Sequence, residues 1–172
     1  LLICNYLSEF EQKNGLPENT IEVILLIETP KGIINSFELC TCSKRITAVG
    51  IGMEDFTAAL GINRSYVVGS NEVLYAKQKI ILSAKAAGIQ AIESSSLMPQ
   101  NFEFLEADSK ISKSFGFDGR SVGNPEQAII VNRVFSPTDE ELSWANEVKK
   151  QYAKYLKTLD DSDRIYRGAT ID

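Results

Sequence analysis

Residues 21–28 read Ile21-Glu22-Val23-Ile24-Leu25-Leu26-Ile27-Glu28, a short and nearly continuous apolar run that ends in an acid. Such a run, rich in β-branched side chains, is typical of a parallel strand covered on both faces. A second apolar segment, residues 46–51, precedes the turn Gly52-Met53-Glu54-Asp55. Because a helix is predicted between the two segments, over residues 32–43, the order strand–helix–strand indicates a βα repeat and a parallel sheet.

One acid follows each of these two strands, Glu28 after the first and Asp55 after the second. Loops at the carboxyl ends of neighbouring parallel strands meet at one edge of the sheet, so the two carboxylates are expected together there. Carboxylate oxygens suit Mg²⁺, with water and substrate completing the shell. These residues alone do not exclude the alternative that Glu28 and Asp55 are ordinary solvated carboxylates at strand ends.

Further βα units follow along the chain. Strands are predicted at residues 89–92 and 120–122, and helices at residues 1–13, 56–60, 72–87 and 102–115 and from Pro125 onward. A closed (β/α)8 TIM barrel needs eight strands and about 250 residues. The sequence therefore predicts half a barrel over residues 1–135, and a C-terminal helix with the start of a further segment over residues 136–172.

Composition narrows the classes of function. The 172 residues are 44% apolar and 24% charged, with 23 acids against 18 scattered basic residues and a net charge of −5. This balance disfavours nucleic acid and membranes as partners. The absence of histidine excludes a histidine base or metal ligand in this chain. Cys4, Cys40 and Cys42 match no zinc pattern and are interpreted as reduced thiols of a cytoplasmic protein.

The sequence segments around Glu28 and Asp55 resemble those of the citrate lyase beta-subunit-like family of the HpcH/HpaI aldolase superfamily. The resemblance runs in order along most of the chain, and these segments carry it: Leu26-Ile27-Glu28-Thr29-Pro30-Lys31-Gly32, Gly52-Met53-Glu54-Asp55-Phe56-Thr57-Ala58-Ala59-Leu60-Gly61, Tyr75-Ala76-Lys77, Ala86-Ala87-Gly88-Ile89-Gln90-Ala91-Ile92, Phe115-Gly116-Phe117-Asp118-Gly119-Arg120, Asn124-Pro125-Glu126-Gln127, Val131-Asn132 and Phe135-Ser136-Pro137.

The resemblance implies a TIM barrel of which this chain holds the last four βα units. It also implies a Mg²⁺-dependent carbon–carbon lyase, acting by retro-aldol or Claisen-type cleavage of a citryl-, malyl- or citramalyl-type acyl-CoA thioester. Glu28 and Asp55 would then be the catalytic metal ligands. The turn residues Gly52, Met53 and Glu54 would bind the substrate carboxylate, although Gly52 also fits a tight turn that needs glycine for its own geometry.

The same resemblance implies a homo-oligomer, trimeric or hexameric, with a small acyl-CoA or keto-acid substrate. In relatives an early-strand arginine and a lid aspartate from a neighbouring subunit complete the site, so this chain alone is expected to be inactive. Residues 167–172 resemble the opening of that lid, and Asp172 is given no catalytic role.

Two other functions remain open at this stage: an HpcH/HpaI-type pyruvate aldolase that uses no CoA, and a non-catalytic paralogue. Asn124 stands where many relatives have histidine, which puts a ligand contact in doubt. Glu93 stands where relatives often have aspartate, and is predicted either to support the site or to be an ordinary strand-end acid. Lys31 is interpreted as an exposed loop residue.

Overall fold

The structure, a computed structural model, describes residues 2–96, 98 and 100–160, together with the backbone of residues 165–166 and 169–170. The chain divides into two compact units, residues 1–135 and 136–172. The predicted start of a lid at residues 167–172 lies outside the described residues, apart from the backbone of residues 169–170. Among the described residues, every helix is too short or too polar to cross a lipid bilayer.

Four strands form one sheet in the first unit: β1 (Val23–Ile27), β2 (Ile46–Ile51), β3 (Gln90–Glu93) and β4 (Gly119–Arg120). They lie side by side in chain order, and each neighbouring pair is parallel. The predicted parallel sheet and its strand order are therefore confirmed. Its carboxyl-terminal edge carries the ends of all four strands.

Helices connect and follow these strands. The first unit contains α1 (Leu2–Lys13), α2 (Pro30–Ile34), α3 (Ser36–Thr41), α4 (Met53–Leu60), α5 (Leu74–Ala87, after a 3₁₀ turn at Asn71–Val73), α6 (Phe102–Phe115) and α7 (Pro125–Phe135). The second unit contains α8 (Asp139–Thr158) and an antiparallel pair, β5 (Ile165–Tyr166) and β6 (Ala169–Thr170). The start of α8 has a capping box between Thr138 and Glu141, as its sequence suggests.

Several predicted boundaries were wrong, and three of them concern the elements around the candidate site. The helix expected over residues 32–43 begins at Pro30, because Thr29 caps it, and it breaks into α2 and α3 at Asn35. The short helix after β2 begins at Met53, since Gly52 is already its N-cap, so Asp55 lies in the first turn of α4. The fourth strand is shorter than predicted and ends at Arg120.

Side chains alternate between the two faces of the sheet, and the helices cover one face. Ile27, Ile51 and Ala91 point into the core shared with α2 to α5. The opposite side, called the open face below, carries Ile24 and Leu26, which are 68% and 62% exposed. Two large aliphatic side chains on a parallel strand are normally covered, because parallel sheets bury both faces.

A buried ion pair fastens α1 to the start of β2. The Arg45 guanidinium donates from Nη1 and Nη2 to both carboxylate oxygens of Glu11, at 2.6 and 2.5 Å. Glu11 also accepts from the backbone N–H groups of Asn19 and Ile21. The hydrogen bond from Arg45 is the main reason that the pKa of Glu11 falls from 4.5 to about 2, and the two backbone donors lower it further against the effect of desolvation.

The folded state should therefore lose stability in acid through Glu11. Its depressed pKa contributes stability that is fully present above about pH 4.5 and is lost as the pH falls toward 2. We expect the urea midpoint of a Glu11→Gln variant to lie below that of the unchanged protein at pH 7, and the gap to narrow at pH 3. Glu9→Gln, an exposed position on the same helix, is the matched control and should show no gap at either pH.

The open face generates a second prediction. Covering Ile24 and Leu26 is worth roughly 1.5–3 kcal/mol each. We therefore expect the isolated 172-residue chain to pair or aggregate in sedimentation velocity, and the double variant Ile24→Ser/Leu26→Ser to shift it toward monomer. Leu82→Ser, which removes an equally exposed leucine from α5, should leave the sedimentation profile unchanged. A monodisperse, cooperatively unfolding monomer of the unchanged chain would contradict this.

Candidate active site at the strand ends

The Glu28 side chain lies directly over Gly52. A Cβ built on Gly52 would sit 2.1 Å from Glu28 Oε1 and 2.4 Å from its Cγ, so no larger residue fits there without moving the glutamate. The Gly52 N–H donates to the Ile27 carbonyl at 3.0 Å, which ties the end of β2 to the end of β1. The first predicted site residue and the first predicted ligand-binding residue therefore meet at the same edge of the sheet.

Gly52 is also the N-cap of α4, and its backbone is extended, with φ −95° and ψ 97°. The N–H groups of Met53, Glu54 and Asp55 find no backbone acceptor among the described residues. Such amides, together with the helix dipole, favour a bound anion. Asp55 itself is exposed in this first turn, about 4.5 Å along the helix axis from Gly52 at 1.5 Å per residue.

The three predicted ligand-binding residues differ in what they present. Met53 is 1% exposed and packs into the core, so only its backbone N–H is available to a ligand. Glu54 accepts from Arg64 Nη1 at 2.5 Å, which connects the first turn of α4 to the loop after it. Gly52 contributes space and its backbone.

The carboxylates of Glu28 and Asp55 have no hydrogen-bonding or ion-pair partner within the part of the chain that the structure describes. No cluster of three or more His, Cys, Asp or Glu side chains suited to a metal occurs there either. Two uncommitted carboxylates beside a row of free amides fit Mg²⁺, which commonly takes one or two protein carboxylates and fills its octahedron with water and substrate oxygens. The donor set therefore fits the predicted cation.

Glu93 has a different role from the strand-end acids. It lies on the helix-covered face, where its Oε2 binds Lys77 Nζ at 2.9 Å and accepts from Ser112 Oγ at 2.9 Å. Its Oε1 accepts from the Ser94 N–H at 2.8 Å. Glu93 and its two side-chain partners, Lys77 and Ser112, are buried, so Glu93 supports the loop after β3 and is not exposed at the rim.

A second buried pair lies beside it, between Arg120 at the end of β4 and Asp108 on α6. Arg120 also donates from Nη1 to Ser109 Oγ at 2.9 Å and from Nε to the Ser94 carbonyl at 3.0 Å. Burial opposes ionisation of Asp108, but the charge of Arg120 and the Gly69 N–H outweigh it, and the pKa of Asp108 lies below its usual value.

The sequence carried a signal for this network. Lys77 shares the inward stripe of α5 with Val73, Ile80 and Ala84, which is a place for an apolar residue unless an acid faces it. Glu93, at the end of a buried strand, is that acid. Neither pairing was predicted.

Two further residues considered from the sequence, Asn124 and Lys31, have clear positions in the structure. Asn124 caps α7, since its Oδ1 accepts from the Gln127 N–H at 2.8 Å. The side chain is therefore occupied by a local structural bond. Lys31 is exposed, as interpreted from the sequence, but it lies in the first turn of α2 and not in a loop.

The family HpcH/HpaI aldolase/citrate lyase matches residues 2–125 of the chain. Citrate lyase subunit beta of Leuconostoc mesenteroides subsp. cremoris is 32% identical over 142 residues, which cover 83% of this chain and 46% of that protein. Mitochondrial citramalyl-CoA lyase of Homo sapiens is 30% identical over 171 residues, covering 95% of this chain and 49% of that protein. The chain thus spans about half the length of the relatives it matches.

A solved structure is also similar. The protein CitE from Mycobacterium tuberculosis, in complex with magnesium and pyruvate, superimposes with a TM-score of 0.62 and 25% identity. The match covers 69% of this chain and 50% of that one.

The contact between Gly52 and Glu28 predicts the outcome of one substitution. Gly52→Ala should push the Glu28 carboxylate out of its position and weaken Mg²⁺ binding by at least about tenfold, the usual effect of disturbing groups that orient metal ligands. The fold should persist, because φ −95° suits alanine. Isothermal titration calorimetry measures the affinity.

Gly50→Ala is the matched control, because Gly50 lies two residues before Gly52 and on the same face of the sheet. Its Cβ would meet only ordinary contacts of 3.5 Å with Leu26 Cδ1 and the Ile92 carbonyl, so the Mg²⁺ affinity should not change. Equal affinity in both alanine variants would show that the position of Glu28 does not control the metal.

Proposed function

Because the chain belongs to the HpcH/HpaI aldolase/citrate lyase family, we propose that its full-length protein is a Mg²⁺-dependent carbon–carbon lyase acting on a small acid or its CoA thioester. The observation that carries this proposal is the Glu28 carboxylate over Gly52 at the N-terminus of α4: among the described residues neither Glu28 nor Asp55 has a side-chain partner, and the first amides of the helix have no backbone acceptor. The relatives named for citrate and citramalyl-CoA cleavage support the reaction class.

In this proposal Glu28, after β1, and Asp55, in the first turn of α4, hold the cation. Gly52 leaves room for the Glu28 carboxylate, and the N–H groups of Met53, Glu54 and Asp55 bind the ligand carboxylate at the positive end of the helix. These amides fix the carboxylate end of the substrate, so the bond to be broken takes a defined position relative to the metal.

The bound metal supplies Lewis-acid polarisation of the substrate oxygen at which charge develops during cleavage. The protein supplies fixed donors that need no reorganisation. Binding of a small 2-oxo acid together with magnesium is supported by the complex of the similar M. tuberculosis protein with magnesium and pyruvate.

The sheet is part of the proposal. We infer that β1 to β4 form half of a (β/α)8 barrel, residues 1–135, whose open face is covered by four further strands. The exposed Ile24 and Leu26 support this, as does the match to about half of each relative. We also propose that residues 136–172 supply a C-terminal helix and the start of a lid segment. The full-length protein is further proposed to be a homo-oligomer located in the cytoplasm.

A CoA-independent aldolase is the alternative within the family, and the pyruvate complex is the observation that favours it. Turnover assays on the full-length protein separate the two. Cleavage of citramalyl-CoA or malyl-CoA supports the lyase, whereas cleavage of only free 4-hydroxy-2-oxo acids supports the aldolase.

Removing either carboxylate should abolish function. In the full-length protein, Glu28→Gln and Asp55→Asn are expected to weaken Mg²⁺ binding by at least about a hundredfold, since even groups that merely orient metal ligands are worth roughly 10–100-fold. Calorimetry measures the affinity, and turnover should disappear with it.

Glu38→Gln, at an exposed acid in the first turn of α3, is the control and should bind Mg²⁺ unchanged. A folded Asp55→Asn protein with normal Mg²⁺ affinity would show that the metal is held elsewhere.

A further inference from the structure

The strand pairing places one residue from each strand end in a single row. Ile27 pairs with Ile51, so the residues that follow, Glu28 and Gly52, lie side by side. Their contact confirms that they share a face.

The row continues across the other two strands. Gly50 pairs with Ile92, and two residues further along each strand lie Gly52 and Ser94. Glu93 pairs with Arg120, and the Ser121 N–H donates to the Glu93 carbonyl at 3.0 Å, so Ser121 follows Ser94 in the row.

Alternation fixes the face on which Ser94 lies. A Cβ on Gly50 would be 3.5 Å from Leu26 Cδ1, so position 50 lies on the open face, and its row partner Ile92 lies there too. Glu93, next along β3, points to the helices. Ser94 therefore returns to the open face, the face that carries Glu28.

The backbone of Ser94 is held on both sides by buried charges. Its N–H donates to Glu93 Oε1 at 2.8 Å, and its carbonyl accepts from Arg120 Nε at 3.0 Å. Each of these charges is paired in turn, with Lys77 and Asp108 respectively. A loop residue held in this way presents its side chain in one position.

The hydroxyl group, in contrast, is weakly engaged. Ser94 is half-buried, and within the described part of the chain its Oγ reaches only the carbonyl of Ser95, at 3.4 Å. A bond of that length is near the limit of hydrogen bonding, so a ligand oxygen at a shorter distance would replace it.

Ser94 and Glu28 lie in the same row with one strand between them. Neighbouring strands lie about 4.8 Å apart, so the two Cα atoms are separated by roughly 10 Å across β2. The residue between them is Gly52, and the Glu28 carboxylate lies over it, in the place that a side chain on Gly52 would occupy. The carboxylate therefore reaches to about one strand spacing from Ser94, so an oxygen of a small acid bound to a cation at Glu28 would lie near the serine hydroxyl.

We propose that the Ser94 hydroxyl is a ligand-binding group of this site, donating to an oxygen of a small 2-oxo acid held beside Glu28 and Asp55. This inference rests on the proposed function and adds a residue to it. The buried pairs Lys77–Glu93 and Arg120–Asp108 hold the peptide from which the hydroxyl projects.

The test uses pyruvate as the probe, titrated calorimetrically into the full-length protein at saturating Mg²⁺. Ser94→Ala is expected to raise the Kd for pyruvate about tenfold, the loss of one hydrogen bond to a charged group, with Mg²⁺ affinity unchanged. The near-isosteric pair Ser94→Thr and Ser94→Val separates the hydroxyl from packing. The threonine variant should bind pyruvate within about threefold of the unchanged protein, and the valine variant should bind like the alanine variant.

Ser121→Ala is the matched control, because it removes the same group one strand further from Glu28, and its Kd should not change. An unchanged Kd in Ser94→Ala and Ser94→Val would overturn the role of Ser94 while leaving the proposed function intact. If the unchanged protein binds Mg²⁺ but no pyruvate, the role of Ser94 is wrong, whereas the proposed function fails only if the CoA thioesters and the free acids are not cleaved either.

Discussion

The alternation of side chains along four parallel strands is the constraint on which the rest of this structure depends. Helices cover one face, so Ile27, Ile51, Ala91 and Glu93 must fit among them, and their neighbours in the chain face the opposite way. A shift of register by one residue would send Glu28 into the core and Ile27 to the open face. The apolar pattern of the strands therefore determines where the candidate site lies, independently of the chemistry of the site residues.

The buried charges of the first unit and the acids of the candidate site differ in how they are paired. At Glu11–Arg45, Lys77–Glu93 and Asp108–Arg120, every buried charge has a partner of opposite sign, as burial requires. Removing one member of such a pair would leave a buried charge uncompensated, which is strongly destabilising. Glu28 and Asp55, by contrast, have no partner among the described residues, although Arg64 already binds the adjacent Glu54. Because the buried acids are all paired while Glu28 and Asp55 have no partner among the described residues, Glu28 and Asp55 are available to an external cation.

Much of this arrangement was predictable from the sequence, for physical reasons. The apolar run before Glu28 specifies β1, and parallel pairing brings Glu28 to the edge that also carries the turn at Gly52. The break at Asn35 was not predictable, because an asparagine inside an amphipathic stretch fits a helix interior and a cap equally well from sequence. The roles of Glu93 and Ser94 depend on which side chains α5 and α6 bring against β3, and the inward Lys77 indicates only that some acid faces it, without identifying Glu93.

The sequence left open two explanations for the glycine at position 52, and the structure distinguishes between them. A glycine required by a tight turn adopts a positive φ, as Gly61 does at +72° where α4 ends. Gly52 has φ −95°, which any residue adopts, so its backbone does not explain the glycine. The space above it does, because a Cβ there would overlap the carboxylate of Glu28. Gly50 lies on the same face one row below, where a methyl group would fit. Of these two glycines, only the one over which Glu28 lies has no room for a side chain, and it stands next to the free amides of α4, which is where a ligand that binds both groups must be placed.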